Sequence, residues 1–251
     1  MGNDQTNWRD RINKYSPISY WLNKRKELPH YKFLKEAQPN IELGYFLALD
    51  ICVPLHEIKN IDNEIFKEAW RKNYEYLEEA YGIVEGYEEP YITSEYFIDI
   101  DNEIAYEIEY RLGKPPAPAY PIYIVTVGTG EEEKVVYVGK TSINAKSRFN
   151  GGHSVALKLH SPKYEGLKKN VYVGSIMFLT GNKEYLPLEW IYPYETSSKV
   201  LDNIESGLIY YFSPELNRQK KRMNYSKMDI NINIENHTRI TSFLHYTQIY
   251  L

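Results

Sequence analysis

The sequence predicts an α+β fold: a small mixed or antiparallel sheet flanked by helices, preceded by a helix-rich N-terminal extension. Three observations lead there. Short β-branched and aromatic runs at 120–127, 135–139 and 171–179 read as strands. Within 197–212, Leu201, Ile204, Leu208 and Tyr211 share one helical face. Across 61–81, Ile65, Phe66, Ala69, Trp70, Tyr74, Leu77 and Tyr81 recur at spacings of three and four between Glu and Lys, the pattern of a helix buried on one side.

Taken in order, 5–86 reads mainly as helix, with shorter and less regular patterns around 8–22 and 31–37 before the strong one at 61–81. From Gly82 the text changes: Gly and Pro bracket Tyr87, and 96–110 has no clear period. Prolines 115, 116 and 118 then forbid a continuing helix and favour an extended connector. This connector divides the chain into a region 1–119 and a second unit, 120–251. That unit opens with two strands joined by the glycine- and glutamate-rich loop 128–134, most simply an antiparallel pair. A polar segment, 141–149, reads as a helix ending at Gly151 and Gly152. The helix at 197–212 is stopped by Ser213 and Pro214. The tail 229–251, rich in Asn, Ile, Thr and Tyr, supplies an edge strand or packs back on the first segment.

Composition narrows the class. At 251 residues the chain makes one large domain or two small ones, and 43% apolar with 25% charged residues excludes a disordered or fibrous protein. The lone Cys52 cannot form an internal bridge, and the N-terminus carries no signal-like leader, so an intracellular location is expected. No run of 18 apolar residues is present to span a membrane. The net charge of −4 hides a split: 1–119 holds 14 Lys/Arg against 22 Asp/Glu, whereas 120–251 holds 16 against 12. A basic substrate face confined to the second unit would produce this asymmetry.

An ordered set of residues follows in that unit. Pro121, Ile122 and Tyr123 open the first strand, and Tyr137, Val138, Gly139 and Lys140 close the second. Arg148 comes eight residues after Lys140, and Glu205 lies on the later helix, followed by Pro214 and Asn217. With these residues 121–217 resembles the catalytic domain of GIY-YIG nucleases, the two tyrosine motifs standing where the family's signatures stand. Pro121 replaces the first signature's glycine, tolerable where a strand begins because only a donor is lost. The distance from Arg148 to Glu205 exceeds that of compact members, so 154–200 is expected to be an insertion, and the tail a C-terminal extension.

The resemblance implies phosphodiester hydrolysis, which needs an in-line water, a base for its proton and positive charge on the nonbridging oxygens. Glu205 is the metal-ligand candidate, and a single carboxylate suits Mg²⁺ or Mn²⁺, which keep much of their water. Arg148 would offer a fixed fork of donors to phosphate. Tyr137 is the candidate water activator. Tyrosine is a feeble base at neutral pH, and Lys140 is expected to lower the cost of its phenolate. Tyr123 is expected to position water or phosphate. His153 is either a proton relay or a structural histidine in its glycine loop. Asn217 is expected to brace the glutamate helix.

Two basic groups, Lys158, Lys163, Lys168 and Lys169, and Arg218, Lys220, Lys221 and Arg222, would neutralise duplex DNA phosphates or form an ordinary solvated surface. The resemblance therefore implies a cytoplasmic, bacterial or phage-associated endonuclease that cuts double-stranded DNA at a specific sequence, restriction type, with a homodimer as the simplest way to cut both strands. The alternatives are a homing or repair-type enzyme, a noncatalytic DNA-binding protein of the same fold, and a scaffold acting through the acidic N-terminal part.

Overall fold

A computed structural model describes residues 22, 27–29, 44–60, 64–87, 92–94, 97–117, 119–141, 154–179, 185–223 and 231–250. Its regular elements are β1 (Glu27–Pro29), β2 (Tyr45–Pro54), α1 (Phe66–Glu85), β3 (Ile92–Ser94), β4 (Phe97–Asp99), α2 (Asn102–Leu112), β5 (Ile122–Val127) and β6 (Lys134–Lys140). They continue with α3 (Ser154–Leu159), β7 (Lys169–Leu179), β8 (Tyr185–Pro187), α4 (Tyr194–Phe212), β9 (Asn231–Asn236) and β10 (Tyr246–Tyr250). A mixed sheet runs β10-β9-β2-β7-β5-β6, with β8 also pairing with β7, and a small separate sheet runs β1-β4-β3. Among the described strands of the large sheet, β2 and β9 pair in parallel and the other pairs are antiparallel. The class is α+β, with four α-helices among the described residues, none of them long and apolar enough to cross a membrane.

The expected helical reading of 5–86 is corrected at β2, a ten-residue strand whose first six residues are all buried. Its neighbours bury both faces, so its apolar run carries no alternation to mark it as strand. It pairs with β7 on one side and β9 on the other. The close approach to β7 depends on Gly174, where a β-carbon would lie 2.6 Å from the Ala48 carbonyl oxygen. The main core accordingly joins Leu47, Leu77 and Ile108 to Ile122, Ile204 and Ile234, so the connector at 114–119 does not separate two cores. Within that connector the Ala119 N–H donates to the buried Glu189 carboxylate.

The segment 154–200, expected as an insertion, contributes β7 to the middle of the sheet, between β2 and β5. The C-terminal tail meets both sequence expectations: β10 lies at the end of the large sheet's order, and β9 pairs with β2 of the first region. The strong pattern at 61–81 forms α1, shifted toward its C-terminal end, with Phe66, Ala69, Leu77 and Ala80 in the core. Trp70 and Tyr74 of α1 stack at 5.4 Å, Tyr192 adds to them, and the Trp70 indole donates to the Ile191 carbonyl at 2.9 Å. These contacts fix the entry of α4, whose Leu201, Ile204 and Leu208 cover one sheet face. On the opposite face Val155 and Leu159 of α3 cover Tyr123, Val125 and Val173. Each fully buried aliphatic side chain here contributes roughly 1.5–3 kcal/mol.

Candidate active site at the edge of β6

β6 closes one end of the large sheet, and the chain after α4 comes back to cover its open side. Ser213 caps α4 in the left-handed conformation, its N–H bonded to the Ile209 carbonyl, and Pro214 prevents any further helical turn. Leu216 then donates its N–H to the Val136 carbonyl at 3.0 Å. Asn217 continues the ladder with its side chain: Oδ1 accepts from the Val138 N–H at 3.0 Å and Nδ2 donates to the Val138 carbonyl at 2.9 Å. An amide side chain thus replaces a strand residue, and Asn217 braces the edge of β6, where the sequence reading placed its bracing on the glutamate helix.

Strand parity sorts the motif residues. Tyr137 and Gly139 face the α3 side, opposite Val125 and Tyr123 in the register, while Val138 and Lys140 face α4. Tyr123 is fully buried, with its ring centroid 5.8 Å from that of Tyr137. It stands behind Tyr137 instead of lining the open surface. Gly139 makes this arrangement possible, because a β-carbon there would lie 2.5 Å from the Tyr123 hydroxyl and 2.9 Å from Tyr137 Cε1. The expected placement of the Lys140 ammonium beside Tyr137 is corrected by the same parity. Three residues along a strand reverse the face, and Lys140 forms an ion pair with Asp202 on α4.

Beyond the edge lies a cleft of about 360 Å³ lined by Tyr137, Val155, Lys158, Glu205, Asn217, Arg218 and Lys220 among others. Glu205 projects from α4 one turn after Asp202, its side chain 13% exposed, and its Oε2 accepts from the Lys220 ammonium at 2.7 Å. Among the described residues no three His, Cys, Asp or Glu side chains gather as a metal site. Glu205 nevertheless suits a hydrated divalent ion: one carboxylate facing a cleft already holds a cation, the lysine. Mg²⁺ is commonly held by one or two carboxylates together with water and substrate phosphate.

The basic residues divide. Lys158, Arg218 and Lys220 line the cleft, and Lys221 and Arg222 follow directly. Lys163 pairs with Glu215, which Tyr164 also holds. Partial burial opposes ionisation of the Glu215 carboxyl, but these hydrogen bonds and the lysine charge win, leaving its pKa below the ordinary value. Lys169 donates to the Tyr164 and Leu167 carbonyls and closes its own loop. Lys168 is exposed at the start of β7, outside the cleft lining. Arg148 and His153 lie outside the described residues. Asp202 escaped the sequence reading, although its three-residue spacing from Glu205 put it on the same helix face.

Comparison of the chain with protein-family models, curated proteins and solved structures gives no match.

Proposed function

We propose that the chain is a metal-dependent endonuclease of double-stranded DNA, of the GIY-YIG kind and restriction type. One observation carries this reading: Tyr137, Glu205 and Asn217, members of one ordered motif set, meet Lys158, Arg218 and Lys220 in a single cleft although β6 and α4 are far apart in sequence. Such a cleft matches the demands of phosphodiester hydrolysis, with a carboxylate, a phenol and several cations facing one space.

Glu205 would hold Mg²⁺ or Mn²⁺, which when bound supplies Lewis-acid charge to the scissile phosphate. Tyr137, as its phenolate, would orient the attacking water and take its proton as the new P–O bond forms, and the leaving oxygen would depart with a proton from solvent. Tyr123 and Gly139 fix the Tyr137 ring from behind, and Lys140 with Asp202 ties the glutamate helix to β6. Lys158 and Arg218 hold flanking phosphates. Cutting both strands with one cleft per chain favours a two-fold homodimer on a palindromic target.

The test is incubation of the protein with long mixed-sequence duplex DNA and Mg²⁺ or Mn²⁺, with fragments read on a gel. Discrete bands are expected, reduced about 10³-fold in rate by Glu205→Ala. Nicks in one strand would favour a homing or repair-type enzyme. Tight binding without cleavage would favour a noncatalytic DNA-binding protein, and the absence of salt-dependent DNA binding would leave the scaffold reading.

A further inference from the structure

Lys220 lies 15 residues beyond Glu205 and adopts φ +66°, a left-handed conformation uncommon for a residue with a side chain. From there its ammonium reaches Glu205 Oε2 at 2.7 Å, and both side chains are largely covered, at 28% and 13% exposure. The pair nevertheless lines the cleft, as Lys158 and Arg218 also do. Lys163, by contrast, pairs with Glu215 on the exposed surface, and neither lines the cleft. Here a monovalent cation stands on the carboxylate that suits a divalent one.

Resting on the nuclease reading, we propose that Lys220 is a built-in stand-in for the metal. It keeps the Glu205 carboxylate aimed into the cleft, competes with the divalent ion for it, and gives it up when a DNA phosphate enters. The charge balance explains the order. An ion and an ammonium crowd one carboxylate unfavourably, whereas a phosphate brings new negative charge to which the ammonium can transfer. Metal and DNA binding are then cooperative, and the coupling is reciprocal. An enzyme built this way holds its metal weakly until substrate is present.

The experiment measures Mn²⁺ binding by electron paramagnetic resonance, with and without a short mixed-sequence duplex, subtracting the ion taken up by the duplex alone. In the unaltered protein the duplex is expected to tighten Mn²⁺ binding about tenfold, within the usual range for coupled sites. Lys220→Met is expected to bind Mn²⁺ about tenfold more tightly than the unaltered protein without DNA and to gain little from the duplex. Lys220→Arg restores the weak, DNA-coupled behaviour because it keeps the charge. All three side chains carry a β-carbon and share the same backbone cost at this position. Mn²⁺ binding by Lys220→Met that matches or falls below the unaltered protein overturns the proposal. Absence of DNA coupling in the unaltered protein overturns it without any variant. Equal Mn²⁺ binding by the unaltered protein and Glu205→Gln would instead overturn the metal reading of Glu205 itself.

Discussion

Two glutamates flank the β5–β6 hairpin and are held in opposite ways. Glu133, at the turn, is buried, and its Oε1 accepts from the Thr126 hydroxyl at 2.6 Å, the Tyr172 hydroxyl at 2.8 Å and Asn170 Nδ2 at 3.2 Å. Those donors are neutral and fixed on β5 and β7, so the carboxylate has no reason to exchange partners. Glu205, at the open edge of β6, is paired with one long, charged side chain in a cleft. A carboxylate surrounded by several fixed neutral donors is part of the architecture. A carboxylate held by a single exchangeable cation is placed to change ligands.

The contrast predicts where substitutions act. The largest effect on stability is expected for Glu133→Ala, which strands donors in the core and costs about 4 kcal/mol. The melting temperature should fall by roughly 10 °C, measurable by calorimetry. A smaller loss would mean that water or local shifts replace the carboxylate.

A third carboxyl, Glu189, sharpens the point through pH. Burial pushes it up to about 7, against the opposing hydrogen bond from Ala119. An ordinary carboxyl titrates near 4.3. The folded protein therefore keeps a proton that the unfolded chain has released. This contribution to stability is complete below about pH 4 and is lost as pH rises toward and through 7, a change of order 3 kcal/mol. Comparing melting against pH with Glu189→Gln should show the slope in the unaltered protein and its loss in the variant.

Next in size is Gly139→Ala, whose new methyl meets Tyr123 and Tyr137. It should cost about 2 kcal/mol and, by displacing Tyr137, reduce cleavage by about 10²-fold. Adding Tyr123→Phe removes the hydroxyl nearest the new methyl and should recover part of both, a coupling that a double-mutant cycle reads directly. The smallest effect is expected for Asn217→Ala, which removes two hydrogen bonds to Val138. Denaturant unfolding should show a loss of about 1–2 kcal/mol, with slower cleavage as the chain past α4 leaves the edge.

Much of the hairpin side was legible in the sequence because β5, β6 and β7 announce themselves with β-branched runs between glycines, and α4 with its apolar stripe and Ser213-Pro214 stop. β2 was not, since Tyr45 to Cys52 is nearly all apolar and gives no period. The small α2 was hidden because only Ile104 and Ile108 are buried on it. In the cleft, the motif resemblance was enough to bring forward Tyr137, Glu205 and Asn217. It could not assign Lys140, whose direction depends on strand parity, nor show that Lys163 is engaged by Glu215 from 52 residues away. Through-space ion pairs leave no local pattern.

The central claim, that Glu205 serves chemistry while Glu133 serves the fold, is tested most directly by one crossed experiment. Glu133→Ala and Glu205→Gln are each measured for melting temperature and for Mg²⁺- or Mn²⁺-dependent cleavage of duplex DNA at a temperature where both are folded. The account predicts that Glu133→Ala melts early yet still cuts, while Glu205→Gln melts within a few degrees of the unaltered protein and does not cut. A Glu205→Gln protein that cuts normally, or that loses its activity only by unfolding, would contradict it.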